Sequence, residues 1–179
     1  MNWLIENGTF LTQDPERPMV RGWLAVHGDR IAGLGEGEAP QEVRSAARER
    51  VEGKDLLFMP GLVNTHGHAA MTLLRGYADD LKLQEWLNNY IWPMEARLTG
   101  DDVYWGTLLA AAEMIRTGTT AFADMYFFMD RVAEAVEVSG MRASLCRGIV
   151  GLGTEEEWRE KVADGIRFAG MQMRRDIGH

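Results

Sequence analysis

Hydrophobic and polar positions follow one rhythm up to about residue 58 and another beyond it. In the first stretch, short apolar runs alternate with turn signals, the pattern of small β structure. Trp3-Leu4-Ile5 and Thr9-Phe10-Leu11 flank Asn7-Gly8, which predicts a hairpin turn. Asp14-Pro15 and Arg17-Pro18 break the chain, and Trp23–Val26 and Arg30–Ala32 flank a second turn at Gly28-Asp29. Residues 36–50 are charged and alanine-rich and show no clear period. Asp55 to Met59 predict a strand, and the run from Met59 to His68 reads as a buried strand that ends in two histidines.

Beyond residue 60, strands alternate with helices. Thr99-Gly100-Asp101-Asp102 has the form of a capping box. Tyr104, Leu108, Ala111, Ala112 and Ile115 then recur at helical spacing until Gly118 stops the run. Thr119 to Met125 predicts a strand. Asp130 to Ser139 predicts a helix with Val132, Ala135 and Val136 on one side and Gly140 at its end. Arg142 to Val150 predicts the next strand, and Thr154-Glu155-Glu156-Glu157 opens a last capped helix.

This order implies parallel strands joined by crossover helices, in a doubly wound sheet or a (β/α) barrel. No glycine-rich phosphate loop follows any strand, and the candidate chemistry sits at carboxyl ends of strands, so the barrel is favoured. The expected division is a small β domain over residues 1–58 and a partial barrel of three strand–helix units over 59–179. A whole eight-stranded barrel needs about 250 residues. The expectation is therefore the amino-terminal portion of a larger enzyme, inactive alone and with open strand edges that favour self-association into a homo-oligomer.

Composition narrows the function classes. The net charge of −8 argues against nucleic acid as a partner. Cys146 is the only cysteine, which excludes an internal disulfide and suits a reducing compartment. The start of the chain lacks a basic segment followed by a long apolar one, and no apolar run is long enough for a bilayer. A cytoplasmic location and no membrane partner are expected.

The sharpest chemical signal is His66-Gly67-His68. Alternation along a strand points both imidazoles the same way, ~6–7 Å apart along the backbone. Two such rings can grip one divalent ion, whereas a bare H-x-H is as often a pair of surface histidines in a turn. The lead-in Pro60-Gly61-Leu62-Val63 and the following Met71-Thr72-Leu73-Leu74-Arg75-Gly76 favour the metal. Imidazole alone leaves zinc, iron and nickel open.

The stretch Pro60-Gly61-Leu62-Val63-Asn64-Thr65-His66-Gly67-His68 resembles the first-strand metal motif of the amidohydrolase superfamily. Met71 to Leu81, Glu85-Trp86-Leu87 and Tyr90-Ile91-Trp92-Pro93-Met94-Glu95 resemble the 5-methylthioadenosine/S-adenosylhomocysteine deaminases, and Glu113 to Thr120, Asp124-Met125-Tyr126-Phe127 and Arg147-Gly148-Ile149 continue the likeness. The resemblance implies a (β/α)8 barrel of the metal-dependent hydrolase type, preceded by a small β-sandwich-like module. It implies a Zn2+ site at His66 and His68 and hydrolytic deamination of the adenine ring of a small nucleoside thioether. Glu95 resembles the acid that accepts the ribose hydroxyls, a task suited to an acceptor-only carboxylate. Arg147 and Arg159 resemble arginines that meet the polar tail of the substrate. The remaining metal ligands and the proton-shuttling glutamate have no counterpart here. Guanine deaminases and triazine hydrolases share the H-x-H strand, and a non-catalytic partial barrel is the alternative from another class.

Other residues weigh less. Asp124 reads as a helix cap or as a group orienting a ligand histidine. Trp86 reads as core or pocket wall, His27 as exposed, Cys146 as a small buried apolar residue and His179 as a frayed end.

Overall fold

A computed structural model describes residues 2–149 and 153–172; His179 and Val150 lie outside them, and the strand expected over Arg142 to Val150 ends at Arg147. The chain divides into two compact units, Met1–Pro60 and Gly61–His179.

In the first unit, β1 (Trp3–Leu11), β2 (Met19–His27), β3 (Arg30–Glu36), β4 (Glu49–Glu52) and β5 (Leu57–Phe58) form one five-stranded sheet of order β3-β2-β1-β4, with β5 also on β1. A single sheet stands where a sandwich-like module was expected. The helix α1 (Gln41–Ala46) and β4 occupy the stretch that carried no clear period. Leu4, Ala25 and Ala39 are buried together, with Trp23, Val43 and Ala47 packed on them.

The turn at Gly28-Asp29 joins β2 to β3, with Gly28 at φ +61°. The expected hairpin at Asn7-Gly8 does not form. One strand runs through it, and the register against β2 shifts between Ile5 and Gly8. Asn7 takes the left-handed conformation, φ 58°, that the dipeptide favours in turns. Here it makes a bulge, because both flanks pair with the same strand.

In the second unit, β6 (Leu62–Asn64), β7 (Thr119–Tyr126) and β8 (Arg142–Arg147) form a parallel sheet in that order. Helix α4 (Gly100–Arg116) lies between β6 and β7, α5 (Met129–Ser139) between β7 and β8, and α6 (Glu155–Gln172) after β8. This is an α/β arrangement. Thr99 and Asp102 make the reciprocal cap of α4, Thr154 and Glu157 do the same for α6, and Gly140 ends α5 at φ +72°.

The core gathers Val103, Ala110 and Ala111 of α4, Phe122 and Tyr126 of β7, Val132 and Val136 of α5, and Phe168 of α6. Three expectations are corrected. The buried face of α4 runs through Val103, Gly106, Thr107, Ala110 and Ala111, while Ala112 and Ile115 are exposed. The small residues face inward because the helix packs close to the backbone of the segment Ala69–Leu74. Leu62 and Val63 are exposed rather than buried, since β6 is a three-residue edge strand paired only with β7. Cys146 is exposed, because alternation in β8 turns it away from the helices, with Arg142 and Ser144.

Between β6 and α4 the chain makes a 3-10 turn (Ala69–Leu74), then α2 (Leu83–Trp86), a π-helical turn (Leu87–Ile91) and α3 (Trp92–Glu95). Pro93 explains the wide turn. It has no N–H for the carbonyl four residues earlier and its ring crowds that position, so the helix opens by one residue before it. Glu95 ends this segment.

Candidate metal and nucleoside site

The two histidines lie just past β6, not within it. Asn64, the last strand residue, accepts the His66 backbone N–H on its side-chain oxygen at 3.2 Å, which folds the chain back at once. The imidazoles end up side by side, with ring centroids 5.7 Å apart and planes at 71°. His66 is exposed and His68 half-buried.

His68 is held from two directions. Its Nδ1 lies 2.7 Å from the carbonyl oxygen of Met125 on β7. A carbonyl only accepts, so Nδ1 carries the proton and Nε2 keeps the lone pair a metal needs. The next residue, Ala69, donates its backbone N–H to both carboxylate oxygens of Asp124 at 3.3 Å. Asp124 is buried, and burial raises its pKa to about 6 against the lowering effects of the Ala69 and Met125 N–H groups and of His68. Its contact is thus with the turn that follows His68, which neither the capping nor the direct histidine reading had named.

Two imidazoles bound through nitrogen at ~2.0–2.1 Å along tetrahedral directions hold their centroids about 5 Å apart. The observed pair is close to that spacing, so His66 and His68 fit a divalent ion as two of its ligands. Among the described residues no group of three or more His, Cys, Asp or Glu side chains could hold a metal.

His68 also borders a cavity of about 240 Å³ shared with Trp86, Trp92, Glu95, Met125, Tyr126 and Phe127. Tyr126 comes from the end of β7 and is buried; its hydroxyl donates to Glu95 Oε1 at 2.8 Å. Burial, then the Glu95 carboxylate, push the phenol pKa above its ordinary value, so the hydroxyl keeps its proton. The Tyr126 ring lies 6.1 Å from that of His68. In the sequence Tyr126 stands out only as a member of Asp124-Met125-Tyr126-Phe127. The usable signal was its place at the end of a strand two residues after Asp124.

Arg147 borders a wider cavity of about 690 Å³ that also touches Glu95 and Tyr126. Its Nη2 donates to Asp130 at 2.6 Å, and its Nε lies 2.7 Å from Asp164 without hydrogen-bond alignment. The guanidinium sits over the Phe168 ring at 5.0 Å. Arg159 stands apart, on an exposed face of α6, paired with Glu155 at 2.6 Å. The structure therefore brings His66, His68 and Glu95 to one region with Arg147 at its border, and it does not bring Arg159 there. Trp86 is a pocket wall, and His27 is exposed.

Residues 57–174 match the model of the amidohydrolase family. A 5′-deoxyadenosine deaminase of Methanosarcina barkeri is 49% identical over 166 residues, 92% of this chain and 37% of that protein. A 5-methylthioadenosine/S-adenosylhomocysteine deaminase of Syntrophomonas wolfei is 56% identical over 150 residues, 84% of this chain and 34% of that protein. A solved adenosine deaminase from Xanthomonas campestris with bound zinc superposes with a TM-score of 0.78 at 35% identity, covering 91% of this chain and 38% of the other. The chain spans little more than a third of the length of the curated relatives it matches. No helix among the described residues is long and apolar enough to cross a membrane.

Proposed function

The chain belongs to the amidohydrolase family, and on that premise we propose that it forms the first metal ligands and the ribose-binding wall of an adenosine-type deaminase. The reaction is hydrolytic removal of the adenine amino group from a nucleoside with a modified 5′ position, the class named for its relatives. Residues 59–179 are read as the first three strand–helix units of a (β/α)8 barrel and residues 1–58 as part of a β-sandwich-like module. The observation that carries the reading is the paired imidazoles, with His68 tied through Nδ1 to Met125, on the same wall as Glu95.

His66 and His68 would hold a divalent ion such as Zn2+ as two of its ligands, and that ion would supply Lewis-acid activation of water at neutral pH. Glu95 receives the ribose hydroxyls, for which an ionised carboxylate is an acceptor. Trp86, Trp92 and Phe127 give the apolar walls against which a purine and a small 5′ group exclude water. Arg147 extends the reading to a charged 5′ tail, which would have to compete there with Asp130 and Asp164, whereas Arg159, paired with Glu155 away from the site, does not carry it.

The test is a chimera in which residues 1–160 replace the matching segment of the Syntrophomonas wolfei relative. Zinc-dependent ammonia release from 5′-methylthioadenosine, 5′-deoxyadenosine and S-adenosylhomocysteine is expected, with loss of release and of zinc in His66→Ala and His68→Ala. A folded, zinc-loaded chimera that releases ammonia from none of the three overturns the proposal. The 179-residue chain with zinc is expected to release none, because its described residues bring only two ligands together.

A further inference from the structure

We propose that Tyr126 is a positioning residue for the nucleoside, its hydroxyl fixing the Glu95 carboxylate in the orientation that receives the ribose diol. The inference rests on the reading of Glu95 above and adds to it the residue through which the carboxylate is aimed.

Glu95 ends a short helix and is only half-buried, so its side chain has rotamers to choose from. Tyr126 has no such freedom. The residue is 6% exposed and packed in the core with Met129 and Val132, and its backbone pairs with Arg147 of β8. Its hydroxyl proton goes to Oε1 at 2.8 Å, which singles out one carboxylate rotamer. Oε1 then keeps one lone-pair direction and Oε2 keeps both, enough for two donors from a vicinal diol. The same rigid ring flanks His68, with centroids 6.1 Å apart. One side chain therefore sets the spacing between the imidazole and the diol acceptor, which are the two ends of the site.

The experiment measures binding of 5′-methylthioadenosine and of its 2′,3′-dideoxy analogue to the zinc-free chimera that carries residues 1–160 of this chain, by calorimetry or by quenching of tryptophan emission. The readout is the ratio of the two dissociation constants, which a general loss of packing does not move selectively. The chimera with Tyr126 and Glu95 intact is expected to favour the diol. Tyr126→Phe, which removes only the donor, is expected to lower the ratio by about three- to tenfold. Glu95→Ala is expected to abolish the preference, and Tyr126→Phe is expected to have no further effect in that background.

An unchanged ratio in Tyr126→Phe, or equal effects of the substitution with and without Glu95, overturns the role of Tyr126 while leaving Glu95 in place. A chimera with both residues intact that binds the two nucleosides alike, or neither, overturns the reading of Glu95 itself. Should Tyr126→Phe fail to fold, 3-fluorotyrosine at the same position keeps the shape and makes the hydroxyl a stronger donor. The ratio is then expected to change by more than about twofold, and no change overturns the proposal.

Discussion

Replacing Gly106 by alanine sets two effects of opposite sign against each other. Gly106 lies in the middle of α4, where alanine is favoured by about 1 kcal/mol on helix propensity. A methyl group there would meet the Ala70 carbonyl oxygen at 2.7 Å, Leu73 Cγ at 3.0 Å and Ala70 Cα at 3.1 Å. The leucine can turn aside, but the Ala70 backbone cannot do so freely. It belongs to the 3-10 turn after His68, which Asp124 holds through the Ala69 N–H. Thr72 adds a second tie, its hydroxyl 2.8 Å from the Gly106 carbonyl. Overpacking of this kind costs about 1–3 kcal/mol. The clash therefore outweighs the propensity gain, and Gly106→Ala is expected to destabilise the unit by about 1 kcal/mol net. Because the displaced turn begins at His68, zinc affinity is expected to fall as well. Urea unfolding followed by circular dichroism gives the first quantity and a zinc titration the second. A variant more stable by about 1 kcal/mol with unchanged zinc affinity would show that propensity alone decides and that α4 is not a fixed wall behind the histidines.

Two further predictions concern stability. The pKa of Asp124 is raised to about 6 by burial, so its ionised form is disfavoured in the folded chain. Without metal, its contribution is full below the usual carboxylate value near 4 and is lost as the pH rises through about 6, an effect of up to about 3 kcal/mol. Asp124→Asn is expected to flatten that window, so its stability relative to the native chain improves between pH 4.5 and 7.5; parallel pH curves would refute this. Thr99→Ala removes the reciprocal cap of α4 and is expected to destabilise by about 1 kcal/mol in the same assay, with no change in zinc affinity because the cap's bonds join only Thr99 and Asp102.

Much of the second unit was legible because its signals are local. The caps at Thr99 and Thr154 and the stop at Gly140 depend on a few neighbouring residues, and each stands where the sequence puts it. The hairpin expected at Asn7-Gly8 failed for a tertiary reason. A left-handed asparagine serves a turn or a bulge equally well, and only the pairing of both flanks with β2 decides. The inner face of α4 was misjudged because close backbone packing puts Gly106, Thr107, Ala110 and Ala111 inward, where apolar periodicity looks for large residues. At the site, His66, His68 and Glu95 could be named from a motif. The Met125 carbonyl could not, since main-chain groups leave no trace in side-chain identity.

That carbonyl belongs to a tripeptide whose three members each hold a different part of the site. Asp124 holds the turn after His68 through its side chain, Met125 holds the His68 ring through its backbone, and Tyr126 holds Glu95 through its hydroxyl. The division of labour follows from strand geometry, which sends Asp124 and Tyr126 to the helix side and leaves Met125 on the other. It therefore depends on the phase of β7 against β6. Leu62 pairs with Thr119, but Val63 pairs with Ala121, so one extra residue, Thr120, is accommodated in β7 at this point. Gly61 makes room for it, since a methyl group there would collide with the Thr120 side chain. Without that extra residue every side chain downstream would change faces, and both carboxylate and phenol would leave the positions from which they act. The placement of the histidine turn and of the Glu95 carboxylate is thus inherited from a single irregularity at the start of the strand, about two turns of the pleat away from the groups it positions.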